Sequence, residues 1–348
     1  MFWKKKLLAI DLGHRAFKGV QLLKENGEII LGKYFYYDLI EKLQSVAVVD
    51  EELKIALDVH DLKREKTLLA LNNRLVTSIE LDDFPDLPED EIRSAVEFEL
   101  EQNRGIKVEG VVFDYYYIEG KKKRLKIIYV DRLLVEKQLQ ILENLQFVPM
   151  GVDLEIYAID SALAYSGYLA NQEGNYIIVD MGEALTTVGL HRKNQLVDFK
   201  TSELALNSIT NALSTQFSFS ASECEKRKQS MGTEGEEALI SESEKQAEFC
   251  VQEKYVAILN EVQTMVEEYL GVIAGETLCG IVLLGGGVDL YPRIVELFKE
   301  KYETEVCIPN PFRNINIHKY NSISEDDVIL KRAHVFTMAI GLSLRGLC

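Results

Sequence analysis

Lys5-Lys6-Leu7-Leu8-Ala9-Ile10-Asp11-Leu12-Gly13 is a short, largely apolar run that ends in Asp-x-Gly, and Tyr176-Ile177-Ile178-Val179-Asp180-Met181-Gly182 repeats the design. Asp180 lies 169 residues after Asp11, about half the chain. Each copy leads into a second strand-like run, over residues 18–23 and 186–191, then a polar turn and a third run. The first turn is Asn26-Gly27, a hairpin signal, and the second falls at Arg192-Lys193-Asn194. The third runs cover residues 28–35 and 195–199. A lone Asp-x-Gly arises easily by chance, so the weight rests on the repeat, which predicts two halves of like topology.

Working outward from the first copy, Pro85 and Pro88 stop one segment, and residues 89–102 read as an amphipathic acidic helix with Ile92, Ala95, Val96 and Leu100 at helical spacing. Glu89, Asp90 and Glu91 sit in its first turn, where the helix dipole favours negative charge. Strand-like runs at 111–118 and 125–130 flank Gly120 and the basic turn 121–124, and a helix is expected over 133–145. These form a subdomain, at about 85–150, inserted in a first lobe spanning 1–170. The second lobe, 171–348, carries a helical insertion at about 204–270. Its acidic, Ser-rich middle, 223–248, reads as a solvated helix pair with a loose joint at Gly232 and Gly235. A buried strand at 280–284 then meets Gly285-Gly286-Gly287, and a helix is expected over 291–302, beginning near Pro292.

With 348 residues the chain is long enough for about two domains, and 47% hydrophobic with 27% charged residues is ordinary for a folded globular protein. Thirty-nine basic against 56 acidic side chains give a net charge of −17, which repels a phosphate backbone or an anionic bilayer, so nucleic acid is not an expected partner. The apolar run after Lys4-Lys5-Lys6 is too short for a secretory signal, and no window suits a membrane-spanning helix, so a cytoplasmic protein without direct membrane insertion is expected. Five scattered cysteines without a C-x-x-C pair read as idle thiols.

The residues that could carry chemistry cluster at strand ends. Glycines between a buried strand and a helix let a backbone approach a phosphate or ribose, though Gly285–Gly287 alone equally suits a tight turn. A dinucleotide fingerprint fails because Leu290 stands at the third glycine position, and no P-loop motif is present. Asp11 and Asp180 each follow a buried strand, where a carboxylate needs a cation or hydrogen-bond donors. Each could be a strand-end hydrogen-bonding partner. If the halves face one another across a cleft, however, the two acids would hold Mg²⁺ while backbone N–H groups of the following turns clamp nucleotide phosphates.

In order along the chain, Asp11-Leu12-Gly13 through Lys18, Asp180-Met181-Gly182 through Thr186-Thr187, and Leu284-Gly285-Gly286-Gly287 resemble the two phosphate motifs and the adenosine motif of the actin-like ATPase superfamily. Leu284–Leu290, Asn310-Pro311-Phe312 and Ala339–Gly346, with Leu87–Glu91 and Gly151–Glu155, are similar to the PilM-like family of type IV pilus assembly. The resemblance spans nearly the whole chain. It implies an α/β, actin-like two-lobed ATPase fold with duplicated mixed sheets and an inserted α+β subdomain. By the same resemblance, Asp11, Gly13, Arg15 and Lys18 would line the first phosphate loop, Asp180, Gly182 and Thr186 the second, and Gly285, Gly286 and Gly287 the adenosine side. Asp11 and Asp180 would face Mg²⁺, and Glu155 would be the catalytic carboxylate near the attacking water. The implied cofactors are ATP and Mg²⁺. The implied partners are the cytoplasmic tail of a PilN-like inner-membrane protein, held at the first lobe and its inserted subdomain, and pilus or secretion motor components.

The sequence departs from the family pattern in the phosphate loops. His14-Arg15-Ala16 and Glu183-Ala184-Leu185 replace small polar runs, and Ala205-Leu206-Asn207 replaces a Gly-Gly-Asp. Glu183 is expected to add negative charge beside a triphosphate, and Arg15 to offset it by pairing a phosphate. ATP binding is therefore expected, and efficient hydrolysis is not. The alternatives are a small-molecule kinase or phosphatase of the same superfamily, using Asp153, Glu155 or Asp160, and a cell-division membrane tether.

Overall fold

The computed structural model describes residues 5–39, 57–58, 62, 64–82, 84–85, 87–118, 124–171, 173–230 and 241–347. Gly120, the lysines at 121–123, Gly232, Gly235 and Cys348 lie outside the described residues. Two five-stranded mixed sheets and one three-stranded sheet make up the frame.

The first sheet begins as a meander of β1 (Lys5–Leu12), β2 (Ala16–Glu25) and β3 (Glu28–Asp38). It is extended beyond β1 by β4 (Lys66–Leu71), and the third sheet then enters the chain with β5 (Thr77–Asp82). The helix α1 (Glu89–Phe98) and the strands β6 (Val111–Ile118) and β7 (Arg124–Asp131) complete that third sheet, in the order β5-β7-β6. Helix α2 (Arg132–Asn144) leads back to β8 (Val148–Leu154), which pairs parallel with β4. The strand β5 escaped the sequence reading for a physical reason. It is an outer strand with no fully buried residue, and only Ile79 and Leu81 alternate inward, half-buried against the subdomain core, an alternation too short to stand out.

Helix α3 (Glu155–Tyr165) connects to the second sheet, whose meander is β9 (Asn175–Met181), β10 (Thr186–Arg192) and β11 (Gln195–Ser202). Helices α4 (Asn207–Phe217), α5 (Ala221–Gln229) and α6 (Glu242–Val272) follow, then β12 (Leu278–Leu284), α7 (Ile294–Tyr302), β13 (Val306–Cys307), α8 (Val328–Lys331) and α9 (Thr337–Leu347). The strand orders β3-β2-β1-β4-β8 and β11-β10-β9-β12-β13 are the same topology twice, as the repeat predicts. Both hairpin turns have positive φ at two successive residues, Asn26 and Gly27 in one and Lys193 and Asn194 in the other, the backbone of a type I′ turn. Gly286–Leu290 forms a 3₁₀ turn, so α7 starts at Ile294, three residues later than its pattern suggests.

Packing explains the near-continuous apolar strands. Helix α6 covers one face of the second sheet, burying Val262 and Val266 in a cluster with Ile177, Val179 and Leu283. Helix α3 is the joint between the lobes. Ala158 joins Ala9 and Leu342 on one side, whereas Ile156, Ile159 and Leu163 pack with Ile178, Val282 and Leu284 on the other. Each such isoleucine or leucine contributes about 1.5–3 kcal/mol by its burial, which fixes the hinge helix against both sheets. Ser343 on α9 donates to the carbonyl of Leu7, tying the last helix to the first strand.

In the third sheet, Ile92, Val96 and Leu100 pack on Leu125 and Ile127. This sheet also meets the edge strand of the second. Lys126, buried on β7, donates to Asp198 Oδ1 at 2.8 Å and to the Val197 carbonyl at 3.0 Å.

Candidate functional site

A cavity of about 550 Å³ lies between the two five-stranded sheets, walled by the Asp-x-Gly turns of both. Asp11, Gly13, Arg15, Lys18, Glu155, Asp180, Gly182, Gly285 and Gly286 all line it. The backbone shows why glycine closes each turn. A Cβ on Gly13 would lie 2.8 Å from the Ala16 carbonyl oxygen, and one on Gly182 would lie 2.7 Å from that of Leu185. Both distances are too short, at the same offset in both copies, so the turns are equivalent in geometry as well as in sequence. Gly285 adopts φ +85°, and a Cβ there would lie 2.5 Å from Asp180 Oδ1.

Thr186 and Gly287 are not among the lining residues. Thr186 is fully buried and donates its hydroxyl to the Leu204 carbonyl at 2.9 Å, while Thr187 faces the cavity. The register gives the reason. Asp11 pairs across its hairpin with Lys18, and Asp180 with Thr187, so the counterpart of Lys18 is Thr187. Strand alternation then turns Thr186 to the opposite face. The 169-residue offset between the copies carries this signal. Gly287 instead sits under α6, its carbonyl accepting from the Tyr255 hydroxyl at 2.8 Å.

The floor of the cavity concentrates acids. Asp11 is buried and ion-paired to Lys18. Burial works against the charge of Lys18, but Asp11 outweighs it and holds the ammonium pKa above its ordinary value. Burial also raises Asp180, to about 6, with Asp11 adding to the rise and Lys18 opposing it. Glu155 is raised further, to about 8, first by burial and then by the charges of Asp11 and Asp180. Glu155 is held by Asn73, which sequence reasoning did not single out. The Asn73 backbone N–H donates to Glu155 Oε2 at 3.3 Å, and its side-chain oxygen accepts from the Ile156 N–H at 3.1 Å. Its amide reaches Thr187 Oγ1 at 3.4 Å, joining the first lobe to the second sheet. Nothing in the sequence around Asn73 marks it, because its partners are 82 to 114 residues away.

At the mouth of the cavity both Glu183 and Arg15 are paired with protein side chains. Glu183 is not an unbalanced charge. Lys228, buried on α5, donates to both of its oxygens, at 3.1 and 3.0 Å, and pairs with Glu225 at 3.0 Å. Arg15 is engaged too, with Asp38 and with Glu225 at 3.4 Å. Helix α5 is therefore part of the cavity wall, although it lies in the stretch 223–248 that reads as solvated. A Ser220–Glu223 capping box starts it, and its burial of Cys224 and Lys228 is not apparent from its composition. Leu206, within the Ala-Leu-Asn substitution, also lines the cavity, and its N–H donates to the Gly182 carbonyl at 3.3 Å.

Across the mouth, Arg332 pairs with Asp289 at 2.6 Å and donates to the Tyr36 hydroxyl at 3.4 Å. Burial favours the neutral Asp289 carboxyl, but His334 and Arg332 hold it below the usual carboxylate range. Asp153 and Asp160, which the kinase alternative would use, do not line the cavity. Asp153 pairs with Arg345, and Asp160 accepts from His191 Nδ1 at 2.6 Å.

The donor set fits a nucleotide carried with a divalent cation better than a self-contained metal site. Among the described residues no cluster of three or more His, Cys, Asp or Glu side chains could hold a metal ion. Asp11, Asp180 and Glu155 nevertheless repel one another, which a cation between them would relieve, and Mg²⁺ is commonly held by one or two carboxylates plus phosphate oxygens. The four described cysteines, Cys224, Cys250, Cys279 and Cys307, are free thiols.

Comparison with known proteins bears on the fold. Over 98% of both chains the structure is similar to the one described as "PilM-PilN type IV pilus biogenesis complex", at 20% identity and a TM-score of 0.77, which shows the fold. Weaker likenesses include MreB5 of Spiroplasma citri bound to AMPPNP, at 11% identity, 98% and 95% coverage and a TM-score of 0.48. The ethanolamine utilization protein EutJ from Carboxydothermus hydrogenoformans gives 12%, 99% and 90%, and 0.48. No curated protein sequence matches. The family described as "Type IV pilus assembly protein PilM" matches residues 9–347. With its duplicated mixed sheets around one cleft, the chain has the actin-like α/β fold and belongs to the PilM family of type IV pilus assembly proteins.

Proposed function

We propose that the protein is a cytoplasmic, nucleotide-binding scaffold that docks the cytoplasmic tail of a PilN-like inner-membrane protein. It would thereby link the membrane platform to pilus or secretion motor components. The observation that carries the nucleotide half is the convergence of two equivalent Asp-x-Gly turns, one from each lobe, on a single cavity. In this reading the N–H groups of both turns bind phosphates, and Asp11 and Asp180 hold the Mg²⁺ that accompanies ATP, the ion supplying charge neutralisation. Gly285 and Gly286 let the backbone approach the nucleoside side.

Two features support weak turnover. Burial and the charges of Asp11 and Asp180 raise Glu155, the candidate general base, to about 8, which disfavours the carboxylate form that would accept a proton from water. Lys18 is already committed to Asp11. The partner half is supported by membership of the PilM family and by the solved relative, which is a complex with PilN. Among the described residues no helix is long and apolar enough to cross a membrane, which fits recruitment through a partner and not insertion. The first lobe, with its third sheet, is the proposed docking region.

The test is calorimetric titration of the N-terminal tail peptide of each single-span membrane protein encoded beside this one. Saturable binding to one of them supports the docking role, and no binding to any of them overturns it. In parallel, turnover with added small-molecule acceptors that greatly exceeds hydrolysis would favour the kinase alternative.

A further inference from the structure

Each lysine and arginine lining the cavity is already bonded to an acid on the cavity wall or rim. Lys18 is bonded to Asp11, Arg332 to Asp289, Lys228 to Glu183 and Glu225, and Arg15 to Asp38 and Glu225. The pairs of Lys228 and Arg15, four in all, form one chain, Asp38–Arg15–Glu225–Lys228–Glu183. Its two ends belong to different lobes. Asp38 ends β3 and Arg15 lies in the β1–β2 turn, both in the first sheet, whereas Glu225 and Lys228 sit on α5 and Glu183 in the β9–β10 turn of the second lobe. Within this chain of pairs the link that crosses the mouth is Arg15 to Glu225, beside the bridge that Arg332 makes between Tyr36 and Asp289.

Burial makes this chain more than a surface ion pair. The Lys228 side chain is 2% exposed and that of Glu225 14%, so solvent screens them weakly. Burial works to raise the Glu225 carboxyl, but Lys228 and Arg15 outweigh it and hold it ionised. Arg15 stands in the turn between Gly13 and Ala16, on the wall that phosphates would meet. An incoming phosphate tail therefore competes with Glu225 for the same guanidinium, and a neutral nucleoside does not.

We propose that the Arg15–Glu225 pair is a cross-cleft latch that holds the lobes together in the empty protein, and that phosphates open it by taking Arg15 from Glu225. The inference rests on the nucleotide reading of the cavity and deepens it. Arg15 becomes the residue that makes affinity depend on the phosphate tail, and Lys228 stays paired with both Glu225 and Glu183 after the exchange, which leaves that trio one net negative charge.

The test has two arms, both on the full chain. In the first, hydrogen exchange of segments 11–18 and 180–187 is measured without ligand for wild type, Arg15→Gln and Glu225→Gln. Faster exchange in both segments for both variants is expected, and unchanged exchange in either variant overturns the latch. Arg15→Lys, which keeps the charge, guards against a folding defect and is expected to exchange more slowly than Arg15→Gln. In the second arm, Mg·ATP and adenosine are titrated into wild type and Arg15→Gln. The variant is expected to lose about tenfold or more in affinity for Mg·ATP, the size of one charge-assisted hydrogen bond, with adenosine affinity changed less than about twofold. Equal losses for both ligands, or no loss for Mg·ATP, overturn the phosphate handover. Should wild type bind neither ligand, the nucleotide reading and the handover fall together, while the exchange arm still decides the latch.

Discussion

Replacing Glu155 with Gln should stabilise the protein, and by an amount that depends on pH. Glu155 has its pKa raised from 4.5 to about 8 in the folded protein by burial and by the charges of Asp11 and Asp180. Between those values the folded state holds a proton on Glu155 that the unfolded state has released, so stability falls as pH rises from about 4.5 to 8. At about 1.4 kcal/mol per pKa unit the full shift corresponds to a ceiling of about 5 kcal/mol. Because Glu155 faces a cavity that solvent enters, a gain of about 2–3 kcal/mol is the working expectation. Gln is neutral throughout, so the difference between Glu155→Gln and wild type should be small near pH 4.5, grow through neutrality and level off above about pH 8. Denaturant unfolding at pH 5, 7 and 9, roughly spanning that window, measures it. Parallel stability profiles for the two proteins would refute the claim that the three acids repel one another at the cleft floor. The same substitution removes the candidate base, so residual ATP hydrolysis should fall while stability rises.

Further predictions concern single contacts. Gly285→Ala should cost about 2–3 kcal/mol or more, since its Cβ would meet Asp180 Oδ1 and the Met181 carbonyl in a left-handed backbone; thermal unfolding checks it, and a neutral outcome would contradict the close approach. Lys126→Met should cost about 1–2 kcal/mol and speed hydrogen exchange in Gln195–Ser202, because Asp198 loses its buried partner. Asn73→Ala should lower the stability of the α3 start and lower hydrolysis more than Mg·ATP affinity, a split read from kcat and KM.

Which parts of this molecule are legible in its sequence follows from where the partners of each residue lie. The meanders could be read because both strands of each hairpin and their turn sit within about 30 residues, and their apolar runs are buried on both faces. The identity of the two halves was visible in one repeated triplet, Asp-x-Gly, whose glycine is demanded by a carbonyl three residues on. The edge strand β5 was not visible, since only Ile79 and Leu81 turn inward and neither is fully buried. Thr186 was chosen over Thr187 because motif resemblance does not report which face of a strand a residue occupies, whereas the pairing register does. Glu183 was read as an unpaired charge beside a triphosphate, and the protein contacts of Arg15 were not foreseen, because Lys228 and Glu225 lie far away in sequence, on a helix whose composition reads as solvent-facing.

Titration of Mg·ATP into wild type, Asp11→Asn and Asp180→Asn is the most direct test of the claim that two lobes build one nucleotide site. The account predicts a single site in wild type and a large loss of affinity in each variant, with both variants folded. Undiminished binding in either one would contradict it.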